Sequence, residues 1–174
     1  RAAETDTGNI AVVLGEQLAR SVQSVDITLT EIREQLEPKN QAALNEFDQQ
    51  IRNQDIHSFL SERLARLTQA DFLALVDRHG QLVVTTRLWP APSADFSDRE
   101  YFKHFKDQTD NGIYIGSLLV NRISGTRMMF FSKRLSGPHN EFLGVVVTGI
   151  QLSHFESVYN SITRLHNQSF LMLR

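Results

Sequence analysis

At 174 residues the chain has room for one domain with a single apolar core, since a globule of this size buries roughly 70% of the surface its unfolded form exposes. Its composition, 41% hydrophobic and 22% charged, excludes a disordered or fibrous chain, and a net charge of −2 without a Lys/Arg cluster leaves no footprint for nucleic acid. The absence of cysteine excludes disulfides, thiolate metal sites and cysteine nucleophiles.

No segment reaches the ~20 consecutive apolar residues of a membrane-spanning helix, and Arg1 to Gly8 lacks the apolar centre of a signal peptide. The abrupt ends at Arg1 and Arg174 read as those of an excised fragment, with any membrane segments outside it. The first third predicts one long helix, because Ile10, Leu14, Leu18, Val22, Val25, Leu29, Ile32 and Leu36 recur at steps of four and three on one stripe. Thr5, Asp6 and Thr7 offer N-caps, and Glu37-Pro38 is a stop, since the residue before proline is driven out of the α region. From Thr7 to Glu37 such a helix measures about 45 Å against the ~30 Å width of a small domain, so part of it should protrude. Two shorter helices follow: Lys39 to Arg52, with Leu44, Phe47 and Ile51 on one face, and Asp55 to Gln69, with Asp55 as the expected N-cap.

After Asp71 the period changes to that of strands. Phe72 to Val76 and Leu82 to Thr86 flank the turn-forming Asp77-Arg78-His79-Gly80 and predict a hairpin. Ser97 and Glu100 read as a capping box for a short aromatic helix, Asp98 to Lys106, carrying Tyr101, Phe102 and Phe105. Ile113 to Val120, Thr126 to Ser132 and Phe142 to Gln151 are three more strands, joined by turns short enough for antiparallel pairing. Ser153 and Glu156 read as a second capping box opening a helix, and Phe170 to Leu173 as the opening of one more strand.

Signatures of catalysis are missing. The six histidines are scattered without metal-ligand spacing, and there is no nucleophile elbow, phosphate loop or dinucleotide fingerprint. Neither a cofactor nor a metal is expected. The carboxylates Asp95, Asp98, Glu100 and Asp107 surround a short helix, where capping and solvation account for them.

Several segments in order resemble the PDC or Cache sensor domains, the extracytoplasmic relatives of PAS domains. Val76-Asp77-Arg78-His79-Gly80 is similar to the family's first hairpin turn, and Asp95-Phe96-Ser97-Asp98-Arg99-Glu100-Tyr101-Phe102 to the motif opening its pocket-bordering helix. Ile115-Gly116-Ser117, Asn121 to Thr126, Ser132-Lys133-Arg134-Leu135 and Phe142 to Val147 continue the likeness through the sheet. The fold implied is α+β: a PAS-like five-stranded antiparallel sheet flanked by helices, with a long N-terminal helix. The division implied is a signalling and dimerisation helix over 1–37, a sensor domain over 38–166, and at 167–174 the start of a connecting strand towards a second Cache module. The parent proteins implied are bacterial inner-membrane sensors, foremost two-component histidine kinases, then diguanylate cyclases, phosphodiesterases and chemoreceptors. The chain would then be periplasmic, reach the membrane only through flanking segments, form a homodimer through its first helix, and not itself be an enzyme. A ligand-free dimerisation module is the competing reading.

The resemblance places a small anionic or polar ligand between the sheet and the segment of loop and helix that crosses it. Amino-acid-binding members carry Arg-x-Trp-Tyr and a later aspartate. Here the first becomes Arg99-Glu100-Tyr101-Phe102, and the aspartate position falls near Gly149, which has no side chain. Arg99 is a candidate for anion capture or, alternatively, for a salt bridge to a carboxylate such as Asp95. Tyr101 and Phe102 point to different faces of one helix, one for a core and one for a pocket. Arg127 is solvated, or projects over the pocket mouth if its strand begins early. Tyr114, Phe131 and Gly149 complete the expected ligand-binding set on the sheet.

Overall fold

A computed structural model of the chain describes the backbone of residues 2–172 and the side chains of residues 7–164. Its elements in order are α1 (Ala2–Leu36), α2 (Gln41–Gln50), α3 (Gln54–Ala65), β1 (Phe72–Asp77), β2 (Leu82–Thr85), α4 (Glu100–Asp107), β3 (Tyr114–Val120), β4 (Arg127–Ser136), β5 (Phe142–Gln151) and α5 (Leu152–Met172). The five strands form one antiparallel sheet in the order β2-β1-β5-β4-β3. The expected α+β architecture, with its PAS-like sheet and long first helix, is the one observed.

Because strand side chains alternate, each strand supplies both faces of the sheet. Leu73, Leu75, Phe131, Leu135, Val146 and Ile150 point to one face, where Val25, Leu29 and Ile32 of α1, Phe47 of α2 and Leu60 of α3 bury them. Phe72, Ala74, Val76, Phe130, Val145 and Val147 point to the other, under Phe96 and the Tyr101, Phe102 and Phe105 side chains of α4. At Gly144 the backbone has φ 134°, and a Cβ there would lie 2.1 Å from the Val76 carbonyl oxygen, so only glycine lets β1 approach β5 at this point.

The C-terminal half of α1 is therefore part of the core, while Val12 and Leu18 nearer its start are 62% and 42% exposed. Several element ends differ from the sequence reading. α3 is capped by Asn53, whose side chain accepts from Ile56 N, rather than by Asp55, which lies in the first turn. Arg99, not Ser97, is the N-cap residue of α4, and it makes no side-chain cap bond; the Ser97 N–H instead donates to Asp95 Oδ1 at 2.8 Å. α5 follows β5 without a linker, so Ser153 sits inside the helix and caps nothing. β4 runs on to Ser136 through Lys133 and Arg134, charges that have partners on both faces. α5 continues to Met172, so Phe170 to Met172 are helical where a strand was expected; Leu173 and Arg174 lie outside the described residues.

Candidate functional site

A cavity remains on the α4 face of the sheet. Its floor is Phe72, Ala74 and Val76 of β1, Phe130 of β4 and Val147 of β5. Tyr101 of α4 and Phe96 of the preceding loop cover it, and Leu82, Thr85, Arg87, Asn121 and Ile123 complete the lining. Its volume is about 20 Å³, room for a single water. The rings that fill the surrounding space are Phe72 and Phe130, 6.3 Å apart edge to face, and Tyr101, 6.1 Å from Phe130. Gly149 lies between them in register, paired with Phe72 on one side and Phe130 on the other. A Cβ at Gly149 would stand 2.5 Å from Met128 Sδ and 2.8 Å from the Phe72 ring, so its bareness is what lets these side chains cross the strand.

Two arginines fasten the cover in opposite directions. Arg99, at the start of α4, donates to the carbonyl of Val120 at 3.1 Å. Arg122, from the β3–β4 turn, donates to both carboxylate oxygens of Asp98, at 2.8 Å to Oδ1, and to the Asp95 carbonyl at 2.5 Å. Its guanidinium also lies 5.8 Å from the centre of the Phe96 ring. The hydrogen bond from Arg122 holds the Asp98 carboxyl below the usual aspartate range, and the same bond raises Arg122. Asn121 orders the turn, its side-chain oxygen accepting from Ile123 N at 2.8 Å and Ser124 N at 3.1 Å.

The polar groups that line the cavity are mostly donors. Tyr101 is 3% exposed, its hydroxyl makes no hydrogen bond, and burial pushes its pKa up, so it is a neutral phenol. Arg87 pairs with Asp71 and lies 5.4 Å over the Phe72 ring, while its Nε is buried without a partner. Burial lowers its pKa without removing its charge.

The far end of α4 is held from below. Arg134, buried on β4, donates to the carbonyls of Phe105, Gln108 and Asn140 and lies 5.0 Å over the Phe142 ring. Its neighbour Lys133 points to the opposite face, pairs with Asp26 of α1 at 2.8 Å and reaches the Asn111 carbonyl at 3.4 Å. Arg33 of α1 donates to that same carbonyl at 3.0 Å. The segment after α4 is thus tied to both β4 and α1.

Of the expected site residues, Tyr101 lines the cavity and Gly149 lies beneath it. Phe102 turns away into the core against Phe142, 5.4 Å between centroids, and Tyr114 stacks with His104 at 4.7 Å on the outer side of α4. Phe131 is on the opposite face, among the residues packed under α1, because it follows Phe130 by one. Arg99 and Arg127 do not line the cavity; Arg99 bonds Val120 rather than Asp95, and Arg127 is exposed opposite Val120. Arg87, Asn121 and Phe130 were not expected. The period of two places Phe130 with Phe72 once one face is known, whereas nothing local distinguishes Arg87 from any other arginine after a strand. Among the described residues there is no group of three or more His, Asp or Glu side chains able to hold a metal, and no helix is long and apolar enough to cross a membrane.

No family model and no curated protein matches the sequence. Solved structures do. The extracellular domain of rpHK1S-Z16, designated a histidine kinase, superposes with a TM-score of 0.76 at 25% identity over 92% of this chain and 63% of that one. The sensor domain of the V. cholerae histidine kinase DctB gives 0.67 at 19% identity over 91% of this chain and 59% of that one. The ligand-binding domain of the Campylobacter jejuni chemoreceptor Tlp3, in complex with L-valine, gives 0.67 at 9% identity over 91% and 64%. The last two likenesses are of fold alone. The chain spans about six-tenths of the length of each of these three neighbours.

Proposed function

We propose that this chain, which has the PDC/Cache sensor fold, is the periplasmic small-molecule sensor of a bacterial inner-membrane signalling protein, first a two-component histidine kinase and otherwise a cyclase, phosphodiesterase or chemoreceptor. The observation that carries the reading is the small cavity under α4, with apolar walls and a few unspent polar groups. Such a site suits recognition rather than catalysis, since no nucleophile, base and orienting group converge on it. Sensing then follows from population shift: a ligand that fits only an opened cover moves α4, which is tied through β4 and Asn111 to α1. The chain is one module of a longer sensor, and a second Cache module follows it; supporting this, it spans about six-tenths of its structural neighbours.

The chain forms a homodimer along α1. In support, Val12, Leu18 and Ile27 are exposed on that helix, and an open groove of about 450 Å³ runs between Leu14 and Leu18 of α1 and Phe155 and Tyr159 of α5. A ligand-free dimerisation module is the second reading, favoured by a cavity that holds one water. A thermal-shift screen of small metabolites separates the two. A sensor ligand at 100 times its Kd adds about 2.7 kcal/mol, a rise of roughly 5–11 °C for a domain of this size. A screen without a stabilising compound favours the dimerisation module.

A further inference from the structure

Resting on the sensor reading above, we propose that the cavity under α4 is a gated site for a small monocarboxylate with a compact apolar body, and that it rejects amines and α-amino acids of the same skeleton. The argument begins with which hydrogen-bonding groups remain unused. Asn121 spends its side-chain oxygen on two backbone N–H groups of its own turn, which leaves its amide N–H₂ with Met128 Sδ, at 3.5 Å, as its one partner. The Tyr101 hydroxyl, on a side chain that lines the cavity, makes no hydrogen bond to the described residues, and Arg87 Nε is buried without one. All three groups line or border the same space, and all three are donors there.

Unsatisfied donors in an apolar enclosure define an acceptor as their complement. A carboxylate offers two oxygens with about four lone-pair sites, and a half-buried guanidinium supplies the charge that makes these bonds strong. The Arg87 charge is shared with Asp71, but Asp71 does not line the cavity and leaves Nε free. No Asp or Glu lines the cavity, so an ammonium would be desolvated without a counter-charge, which is costly. The remaining walls, Phe72, Val76, Leu82, Phe130 and Val147, suit a branched or flat apolar body.

Space requires the gate. A cavity of about 20 Å³ admits no such ligand until the cover moves. The Arg122 clasp joins the two parts of that cover: Asn121 and Ile123, which line the cavity, flank Arg122 in sequence, and Phe96, which also lines it, lies under the guanidinium. Releasing Arg122 from Asp98 and from the Asp95 carbonyl frees both parts together.

The test is calorimetric titration of the full chain with four compounds of one skeleton: isovalerate, L-valine, isoamylamine and isovaleramide. Isovalerate is expected to bind at least tenfold more tightly than the other three. Tyr101→Phe, which keeps the ring, should weaken it about tenfold or more, and Arg87→Gln likewise. Arg122→Ala should tighten it several-fold, because apparent affinity is divided by the fraction of molecules that are open. L-Valine or isoamylamine binding as tightly as isovalerate overturns the ligand class and leaves the sensor reading standing. Isovalerate binding that neither Tyr101→Phe nor Arg87→Gln weakens overturns the site. If none of the four binds the parent or Arg122→Ala while the metabolite screen yields a stabilising compound of another class, only this proposal falls; if the screen is also empty, both fall.

Discussion

The two faces of the sheet are formed by the same five strands but are covered by different chemistry. Under α1, α2 and α3 the interior is mainly aliphatic, with Leu29, Ile32, Leu60, Leu73, Leu135 and Leu143 fully buried beside the rings of Phe47 and Phe131. Under α4 it is aromatic and polar at its margins, with Thr85, Asn121 and Arg134 buried and the cover held by arginine contacts that are partly in water. Apolar packing over a long helix makes a surface that resists change, whereas short hydrogen-bonded segments open at low free energy. A domain that must hold α1 rigid and yet admit a ligand places the two requirements on opposite sides of one sheet.

The largest effect should come from the α1 side. Phe131→Ala removes a fully buried ring and should cost about 3–5 kcal/mol in urea denaturation. Tyr101→Phe, on the other face, removes an oxygen without a partner and should change stability by less than about 0.5 kcal/mol. A similar loss from both would erase the distinction between the faces.

Adjacent cations on β4 sharpen it. Arg134→Ala strips three carbonyls of their donor and should cost about 2–3 kcal/mol, with altered near-ultraviolet dichroism from the α4 aromatics. Lys133→Met should cost less, about 1 kcal/mol, since the methionine suits the apolar interior and the Asp26 side chain left behind is 44% exposed. The reverse order would mean that the α1 side, not the α4 side, depends on its charges.

The protruding part of α1 offers a smaller effect on the fold and a large one on assembly. Leu14→Glu with Leu18→Glu should leave the melting temperature within a few degrees while lowering association in sedimentation. Unchanged association would assign that stripe to the groove against α5 alone.

The smallest effect is that of pH on the clasp. Asp98 titrates below its ordinary value in the folded chain, so its contribution is complete above that ordinary value and is lost only as pH falls through the lowered one. An NMR titration of the β3–β4 turn amides should therefore show the Asp98 step below the ordinary aspartate value of about 3.9. A step at or above that value would mean that Asp98 is not held by Arg122.

What the sequence determined by itself was local. Steps of four and three from Ile10 to Leu36 specify a helix with one apolar stripe, and the short apolar or β-branched runs Phe72 to Val76 and Phe142 to Gln151, bounded by turn residues, specify strands, because both signals are read within a few residues. Turn residues such as Gly80 and Gly125 likewise mark where chains reverse, and the order of elements was enough to imply the PAS-like sheet. Tertiary structure decided the rest. Period two says that Phe130 and Phe131 face opposite ways but not which of them lies beneath α4, since the choice depends on which helix lands on which face. Caps went to Asn53 and Arg99 rather than Asp55 and Ser97, differences of two residues that the surrounding loops impose. Most of all, Arg87, Arg99, Arg122, Arg127 and Arg134 are chemically identical in the sequence, and their fates as cavity donor, strap, clasp, solvated charge and helix clamp depend on partners distant in the chain, such as Asp71 for Arg87, Val120 for Arg99, Asp98 for Arg122 and Phe105 for Arg134. A guanidinium acquires its role from what surrounds it, and that is assembled only when the strands pair.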